Sequence, residues 1–321
     1  MRVTHDEQRM TVRVRSITWE ADGVVSVEFV ALDGSDLPAW EPGAHLDLEL
    51  SGVITRQYSL CGDPARRSSW RIAVLREPVS KGGSQAVHER LRPGDVVTVV
   101  GPRNNFPLTD APAYRFVAGG IGITPLLPMM RRATESGAEW TLLYGGRSRT
   151  SMAFVDEVEA YGERVQIRPQ DEFGLLDLQS LLGTPETETL VYCCGPEPLL
   201  NAVEASCSAW RSGALRVERF KPKPQPVRDP GAEQAFVAVL QRSGYEVDVP
   251  AGTSILEAIE ECGLEADHSC REGVCGTCEA GVVAGVPDHR DSLLSSEEQA
   301  ANESMMICVG RALSERIVLD I

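Results

Sequence analysis

The sequence predicts a multidomain protein in which an antiparallel β-barrel, a parallel α/β sheet and a small α+β domain follow one another. Three observations support this fold class. The spacing of apolar residues changes after Pro112, four prolines interrupt the chain within residues 221–231, and most of the negative charge lies beyond that stretch. At roughly 150 residues per domain, a chain of 321 residues has room for two or three domains.

Residues 1–108 are predicted to form the β-barrel. Short runs in which apolar and polar residues alternate are separated by turn residues, a spacing typical of a small antiparallel barrel or sandwich. The runs cover residues 12–17, 24–29, 45–50, 70–75 and 96–100.

Residues 109–220 are predicted to form an open parallel sheet with helices on its faces. Apolar strands alternate with stretches of helical spacing, which is typical of a doubly wound α/β domain. The strands are predicted at 114–118, 140–144, 189–193 and 215–220, and the helices at 125–136, 154–162 and 198–210.

The proline-rich stretch 221–231 separates this body from the C-terminal domain, residues 232–321. Proline lacks a backbone N–H and cannot continue a helix or pair inside a sheet, so an extended, semi-rigid linker is predicted here. Beyond it, residues 236–249 predict a hairpin, and Ser254 with Glu257 predicts a capping box that opens a helix.

The charge of the chain is unevenly distributed. Of a formal net charge of −16, residues 231–321 contribute −12, because they contain 17 acidic and 5 basic residues. This excess of negative charge argues against nucleic acid as a partner. No run of about 18 apolar residues occurs, and the first residues, MRVTHDEQRMTVRV, lack the apolar stretch of a signal peptide. We therefore expect a cytoplasmic protein with neither a nucleic-acid nor a membrane partner.

Four of the nine cysteines lie close together in the C-terminal domain. The spacing Cys270-x4-Cys275-x2-Cys278, followed by a distant Cys308, is the one through which plant-type ferredoxins bind a 2Fe-2S cluster by four thiolates. Gly273 in the same loop allows a backbone conformation that turns N–H groups inward toward sulfur. A non-catalytic protein whose cysteines hold zinc is the alternative, although structural zinc prefers two C-x2–4-C pairs.

Two motifs in the predicted barrel indicate a flavin. In Arg56-Gln57-Tyr58-Ser59 the guanidinium can bind a phosphate, the tyrosine can flank an aromatic ring, and the serine hydroxyl can reach flavin N5. Lys81-Gly82-Gly83-Ser84 precedes a stretch of helical spacing, and glycines at a helix start present free N–H groups to a phosphate. Together the motifs predict a bound flavin.

A glycine-rich turn indicates a dinucleotide. Gly119-Gly120-Ile121-Gly122-Ile123-Thr124-Pro125 follows a predicted strand and opens a helix, although it lacks the G-x-G-x-x-G fingerprint of Rossmann dehydrogenases. A later strand ends in Cys193-Cys194-Gly195-Pro196, and the ends of parallel strands lie at the same sheet edge. We therefore expect the nucleotide at that edge; the alternative for Cys194 is a small buried residue without a ligand.

In this order, the flavin, nucleotide and cluster motifs resemble those of the phthalate dioxygenase reductase family. This branch of the ferredoxin-NADP reductase superfamily includes the reductases of vanillate and similar aromatic demethylases. The resemblance implies FMN, NADH and a plant-type 2Fe-2S cluster as cofactors, a β-grasp fold for the C-terminal domain, and a Rieske oxygenase component as partner. Related reductases that place the ferredoxin first use FAD, so the domain order favours FMN.

The resemblance also implies roles for individual residues. The catalytic residues, at the flavin and the nicotinamide, would be Ser59, Thr124 and Cys194. The flavin would be bound by Arg56, Gln57, Tyr58, Ser59 and Phe220, with Lys81, Gly82, Gly83 and Ser84 around its phosphate. The nicotinamide nucleotide would be bound by Gly120, Gly122, Thr124, Cys194 and Gly195, with Arg147 and Ser148 at the adenosine ribose. The cluster would be bound by Cys270, Cys275, Cys278 and Cys308.

The implied function is electron transfer to an oxygenase. NADH would give a hydride to FMN, and the electrons would pass singly through the 2Fe-2S cluster to the Rieske oxygenase of an aromatic dioxygenase or demethylase system. The alternative is a reductase that uses FAD and NADPH and serves a cytochrome P450 or a diiron hydroxylase, since the arginines on either side of Ser148 could accept a 2′-phosphate. An electron carrier of this kind is expected to be a monomer.

Overall fold

The computed structural model describes residues 8–50, 54–79, 82–223 and 233–321. The chain divides into two compact units, Met1–Glu218 and Arg219–Ile321. Most of the predicted linker, residues 224–231, lies outside the described residues. None of the helices in the described part of the chain is long and apolar enough to cross a membrane.

The first unit begins with six antiparallel strands. They are β1 Gln8–Ala21, β2 Val24–Ala31, β3 His45–Leu50, β4 Ile54–Ser59, β5 Trp70–Leu75 and β6 Val96–Arg103, and helix α1, Gly83–Glu89, lies between the last two. The strands follow the order β4-β3-β6-β1-β2-β5 in the sheet. A bridge between Leu60 and Ile72 joins its two ends, so the sheet curls into the predicted antiparallel barrel.

Alternating side chains form the core of this barrel. Val12 and Val14 on β1 are fully buried, whereas Arg13 between them is exposed. Phe29 on β2 and Trp70 on β5 are fully buried in the same interior. This alternation is the period of two that places successive strand residues on opposite faces of a sheet.

The second half of the first unit is a parallel sheet. Its strands are β7 Ala113–Gly119, β8 Glu139–Gly146, β9 Val165–Pro169, β10 Thr189–Cys194 and β11 Leu215–Glu218, in the order β11-β10-β7-β8-β9. The helices are α2 Leu126–Glu135, α3 Val155–Glu159, α4 Gln170–Phe173, α5 Leu178–Leu182 and α6 Glu197–Ser206. Strands β8 and β9 lie on one side of β7, and the chain then crosses to the other side of β7 to add β10 and β11. Open α/β sheets bind ligands at such a switch point.

Two strands of this sheet differ from the sequence prediction. Strand β9 was not predicted, because it is an edge strand paired only with β8 and contains the polar residues Gln166 and Arg168. Strand β11 ends at Glu218, two residues earlier than expected from its apolar run. The earlier end of β11 makes Glu218 its last residue, and Glu218 belongs to the site described below.

The second unit is a mixed sheet with a helix packed on it. Its strands are β12 Phe236–Leu240, β13 Tyr245–Val249, β14 Glu279–Ala284, β15 Pro287–Asp288, β16 Ser304–Met306, β17 Arg311–Ala312 and β18 Arg316–Leu319, with helices α7 Ile255–Glu261 and α8 Ser296–Ala301. Five strands form one sheet in the order β13-β12-β18-β14-β16, in which β12 and β18 are parallel. The predicted hairpin and the capping box of Ser254 and Glu257 are both present, and the fold is the predicted α+β, β-grasp domain.

Candidate functional site

The carboxyl ends of β7 and β10 meet at the switch point, and glycines allow them to approach. A Cβ atom on Gly122 would lie 2.2 Å from the carbonyl oxygen of Cys194, and one on Gly195 would lie 3.0 Å from the Cα atom of Gly119. Gly120 has a φ of 54°, which other residues rarely adopt, and the position its Cβ would occupy is open. The edge therefore presents backbone rather than side chains to a ligand.

Thr124 lies in the turn between β7 and α2. It is 2 % exposed, and its hydroxyl donates a hydrogen bond of 3.0 Å to the carbonyl oxygen of Ile121. The side chain thereby stabilises the 3-10 turn Gly120–Ile123 that contains the glycines. A direct contact between Thr124 and the nicotinamide stays a prediction.

Ser59, Cys194 and Glu218 come together where the barrel meets the parallel sheet. The Ser59 hydroxyl donates to Oε2 of Glu218 at 3.4 Å, and the Cys194 thiol donates to the same oxygen at 3.9 Å. Cys194 and Glu218 are neighbours across β10 and β11. The structure thus joins two residues that the sequence placed in separate motifs and adds a carboxyl group to them.

Burial determines the charge of this cluster. Desolvation raises the pKa of Glu218 to about 8, and the hydrogen bonds from Ser59 and Cys194 oppose the rise. Burial, followed by the neighbouring Glu218 carboxyl, raises the pKa of the Cys194 thiol well above its usual range. A carboxyl and a thiol in such surroundings are both mainly uncharged at pH 7.

Glu218 is a functional candidate that the sequence analysis did not assign. The available signal was an acidic residue at the end of an apolar strand, at the edge where ligands of parallel sheets bind. Its partner Ser59 is 159 residues away in the chain, a contact that no local pattern shows. Phe220, predicted at the flavin, belongs to the second unit and is 40 % exposed, and its role stays a prediction.

The predicted flavin residues lie on β4, at one end of the barrel sheet. A Cβ atom on Gly83 would lie 2.4 Å from Cγ of Arg56, so the arginine crosses the start of α1 only because glycine is there. The side-chain nitrogen of Gln57 is buried and has no hydrogen-bond partner among the described residues. A buried donor without a partner costs free energy unless a ligand accepts a hydrogen bond from it. A flavin has ring carbonyl groups and a phosphate and therefore fits this set of donors.

The remaining flavin residues are engaged in local structure. Burial raises the pKa of Tyr58 to about 12, with Arg56 opposing the rise, so the phenol stays neutral. Gly82 has a φ of 91°, and the Ser84 hydroxyl accepts a hydrogen bond from the backbone of Glu77 at 3.2 Å. Lys81, predicted at the flavin phosphate, lies outside the described residues.

Arg147 and Ser148, predicted at the adenosine ribose, follow the carboxyl end of β8. The Ser148 N–H donates to Oγ of Ser151 at 3.2 Å in a capping box, so the serine organises the turn Arg149–Ser151. Arg147 is exposed, and its carbonyl oxygen accepts from the N–H of Asp171. A contact of either side chain with ribose stays a prediction.

The four predicted cluster ligands gather in the second unit. The thiol of Cys270 is within hydrogen-bonding distance of those of Cys275 and Cys308, and Cys278 contacts Cys308 in the same way. These contacts lower the pKa of Cys270, and the backbone N–H of Glu272 donates to its sulfur at 3.3 Å. Within the described ranges, no three His, Cys, Asp or Glu side chains are grouped as ligands of a single metal ion. Four thiols gathered in one place, with an amide directed at one of the sulfurs, fit an anionic iron-sulfur cluster.

The buried side chain of Asp291 stabilises a turn that is hydrogen-bonded to the cluster loop. Asp291 is 6 % exposed, and its Oδ2 accepts from the N–H groups of Leu293 at 3.0 Å and Leu294 at 2.7 Å. This turn directs the N–H of Ser292 to the carbonyl oxygen of Gly273 in the cluster loop, at 2.9 Å. The sequence analysis did not identify Asp291, because its effect on the loop depends on contacts between distant segments.

Comparison with known proteins identifies the family. Residues 116–205 match the model of the oxidoreductase NAD-binding domain, and residues 238–313 match that of the 2Fe-2S iron-sulfur cluster binding domain. The chain is 41 % identical over 314 residues to phenoxybenzoate dioxygenase subunit beta of Ectopseudomonas oleovorans, covering 97 % of both chains. It matches the solved structure of phthalate dioxygenase reductase with a TM-score of 0.72 and 34 % identity, over 98 % of each chain. The chain belongs to the phthalate dioxygenase reductase family.

Two further relatives place this reductase among oxygenase systems. It is 37 % identical over 308 residues to vanillate O-demethylase oxidoreductase of Pseudomonas sp., covering 94 % of this chain and 96 % of that one. It also matches an intact type IV self-sufficient cytochrome P450 monooxygenase, with a TM-score of 0.92 and 41 % identity. That match covers 98 % of the reductase but 41 % of the P450 chain.

The cofactors predicted from the sequence are confirmed. The reductase has an NAD-binding domain and a 2Fe-2S domain, and the phthalate dioxygenase reductase that it matches transfers electrons from pyridine nucleotides to a 2Fe-2S cluster. The match of residues 238–313 to a 2Fe-2S domain also overturns the alternative of a zinc-binding scaffold.

We predict that Gly273→Ala lowers the iron content of the purified reductase. Gly273 has a φ of 68°, and its Cβ would lie 2.7 Å from Cγ2 of Val309 and 3.0 Å from Cα of Asp291. Gly263→Ala is a matched control, since Gly263 has a φ of 73° and open space around it. Both variants lose about 1 kcal/mol of stability from the backbone, but only Gly273→Ala displaces the cluster loop. Equal iron-to-protein ratios in the two variants would contradict the prediction.

Proposed function

We propose that the protein is the reductase component of a Rieske-type aromatic dioxygenase or demethylase system. It passes electrons from NADH by way of FMN and the 2Fe-2S cluster to the oxygenase component. The observation that supports this most directly is that one chain contains both the Ser59–Cys194–Glu218 cluster at a nucleotide-binding edge and the four-thiol loop. Relatives with the same extent are named as components of phenoxybenzoate dioxygenase and vanillate O-demethylase.

The first task of the chain is to hold the flavin and the nicotinamide together. Bound FMN supplies the conversion of a two-electron hydride donor into single electrons. Gln57 would donate to a flavin carbonyl with its buried amide nitrogen, and Arg56 would bind the phosphate. Because Gly122 has no side chain, its backbone lies against the Cys194 carbonyl group. The nicotinamide would approach the backbone at this sheet edge. These residues orient reactants, which is the main contribution of an enzyme that needs no acid or base.

The neutral cluster of Ser59, Cys194 and Glu218 prepares the nicotinamide site. Because Glu218 has a pKa of about 8, the carboxyl is mostly protonated at pH 7 and places no full charge beside the reduced, uncharged nicotinamide. Its oxygen accepts from both Ser59 and Cys194 and so fixes the two side chains in one arrangement. Glu218 is thus a positioning residue for hydride transfer.

The second task of the chain is to hold the iron-sulfur cluster. The thiols of Cys270, Cys275, Cys278 and Cys308 are linked by mutual contacts and would hold the cluster together. The N–H of Glu272 would stabilise sulfur in the reduced, more negative state, because hydrogen bonds to cluster sulfurs tune the reduction potential.

The acidic second unit supports docking to a basic partner surface. The net charge of −12 over residues 231–321 would accelerate association with an oppositely charged patch near the oxygenase's Rieske centre. We further propose that the reductase is a monomer and works in the cytoplasm, where its nine free cysteines would remain reduced.

The proposal is tested by three measurements on the purified protein. Mass spectrometry of acid-released flavin should identify FMN, anaerobic titration with NADH should reduce flavin and cluster, and NADH-dependent reduction of a Rieske oxygenase component should follow. The similarity to a P450 monooxygenase makes a cytochrome P450 the second acceptor to assay. Released FAD, or transfer to the P450 and not to the Rieske protein, would favour the alternative reductase.

A further inference from the structure

The chain passes from the first unit to the second directly after strand β11. The strand ends at Glu218, beside the candidate nucleotide site, and the second unit begins at Arg219. Five residues beyond Glu218, the backbone N–H of Lys223 donates a hydrogen bond of 2.8 Å to Oγ of Ser292. The start of the proline-rich stretch is therefore fastened to the second unit by Ser292.

The segment that contains Ser292, residues 290–292, also binds the chain where it returns from the proline-rich stretch. Nη2 of Arg290 donates to Oε1 of Glu233 at 2.8 Å, and the two side chains are 18 % and 13 % exposed. The other carboxylate oxygen of Glu233 accepts from the N–H of Gly252 at 3.0 Å and lies 3.3 Å from Nε of Arg311. Glu233 is thus a second point at which the chain is fastened to this unit.

The same segment is hydrogen-bonded to the cluster loop. The backbone N–H of Ser292 donates to the carbonyl oxygen of Gly273 at 2.9 Å, and Gly273 lies between the predicted ligands Cys270 and Cys275. The side chain of Ser292 therefore holds Lys223, while its backbone holds the cluster loop. One residue links the start of the second unit to the loop that would bind the cluster.

This link limits the length of free chain between the two units. We call the chain from Glu218 to the first fastened residue the tether. A chain of n residues spans at most about 3.6 Å × n, so the Cα atoms of Glu218 and Lys223 lie within about 18 Å of each other in any arrangement of the units. Without the bond to Ser292 the tether could extend to Glu233, fifteen residues from Glu218, and this limit would rise to about 54 Å.

We propose that Ser292 is a positioning residue for electron transfer from the flavin to the 2Fe-2S cluster, because it keeps the tether short. The inference rests on the proposed function, since it assumes a flavin in the first unit and a cluster in the second. Each transfer oxidises the flavin by one electron and reduces the cluster by one, with NADH as the source of electrons. The effective concentration of two linked sites falls roughly as the −3/2 power of tether length, so a threefold longer tether lowers it about fivefold.

The test removes the hydrogen bond from each side in the holoenzyme. Ser292→Ala removes the acceptor but keeps the N–H that bonds to Gly273, whereas Lys223→Pro removes the donor between two existing prolines. After stopped-flow mixing with NADH, flavin reduction should proceed in both variants at the rate of the parent. The subsequent reduction of the cluster should be about fivefold slower in both variants, because the tether is longer.

Ser314→Ala is the matched control. Its Oγ accepts from the N–H of Val286 at 2.9 Å in the same unit, so the variant loses the same kind of hydrogen bond outside the tether. Small-angle X-ray scattering gives a readout independent of activity. The radius of gyration should be larger in Ser292→Ala and Lys223→Pro than in the parent, because a longer tether lets the units separate further, and it should be unchanged in Ser314→Ala.

The outcomes separate this inference from the proposed function. Rates of cluster reduction equal to the parent's in Ser292→Ala and Lys223→Pro would overturn the inference and leave the proposed function intact. A shifted cluster reduction potential in Ser292→Ala would also overturn it, because the serine would then act on the cluster loop and not through the tether. If NADH fails to reduce the flavin of the parent protein, the proposed function is wrong and the inference falls with it.

Discussion

Cys275→Ser should abolish NADH-dependent reduction of cytochrome c while leaving most of the NADH-dependent reduction of ferricyanide. Cys275 is 1 % exposed and its thiol contacts that of Cys270. A serine hydroxyl is a poor replacement for the soft thiolate that iron-sulfur clusters require. We expect the rate of cytochrome c reduction to decrease at least about 100-fold, which is the upper range for disturbed metal sites. Ferricyanide can take electrons from the flavin directly and does not need the cluster.

The control for this variant is Cys262→Ser. Cys262 is an exposed free cysteine in the same unit. Its replacement by serine should leave the iron content and both activities unchanged. Iron analysis and circular dichroism show whether Cys275→Ser retains its fold without the cluster. Undiminished cytochrome c reduction in a folded, cluster-free variant would contradict the electron route, and loss of ferricyanide reduction in that folded variant would contradict an independent flavin site.

Glu218→Gln should make the stability of the reductase less dependent on pH. The folded protein raises the pKa of Glu218 from 4.5 to about 8, so it binds this proton more tightly than the unfolded chain does. The stability contributed by the group is fully present below pH 4.5 and is lost as the pH rises through 8. Glutamine cannot ionise. The Tm of the variant should therefore increase relative to the Tm of the parent as the pH rises from 5 to 9.

The control is Glu188→Gln, which changes an exposed glutamate of the same unit and should give a Tm profile parallel to the parent's. Parallel profiles for Glu218→Gln as well would refute a protonated Glu218 carboxyl in the folded protein. Glu218→Ala additionally removes the acceptor shared by Ser59 and Cys194, and NADH-dependent ferricyanide reduction should fall roughly tenfold at pH 7. Partial recovery in Glu218→Gln would distinguish positioning from general damage to the fold.

Local patterns were sufficient to predict the fold class, and they also supplied most of the candidate site residues. The cysteine spacing, the glycine-rich turn and the change from period-two to helical spacing are each written within a few residues. Strand β9 was not predicted because an edge strand buries little apolar surface and its sequence contains polar residues. For Thr124 and Ser148, the structure adds a turn-stabilising role that their motifs did not indicate.

The sequence by itself predicted the order of the domains, the cluster ligands and the glycines of the nucleotide edge, because each prediction depends on residue type and short spacing. The tertiary structure alone decided that Glu218 joins Ser59 and Cys194 and that the turn held by Asp291 bonds to Gly273. Burial and pairing are properties of segments brought together by folding. The carboxyl group of Glu218 acquires a raised pKa only in the surroundings that the folded chain provides.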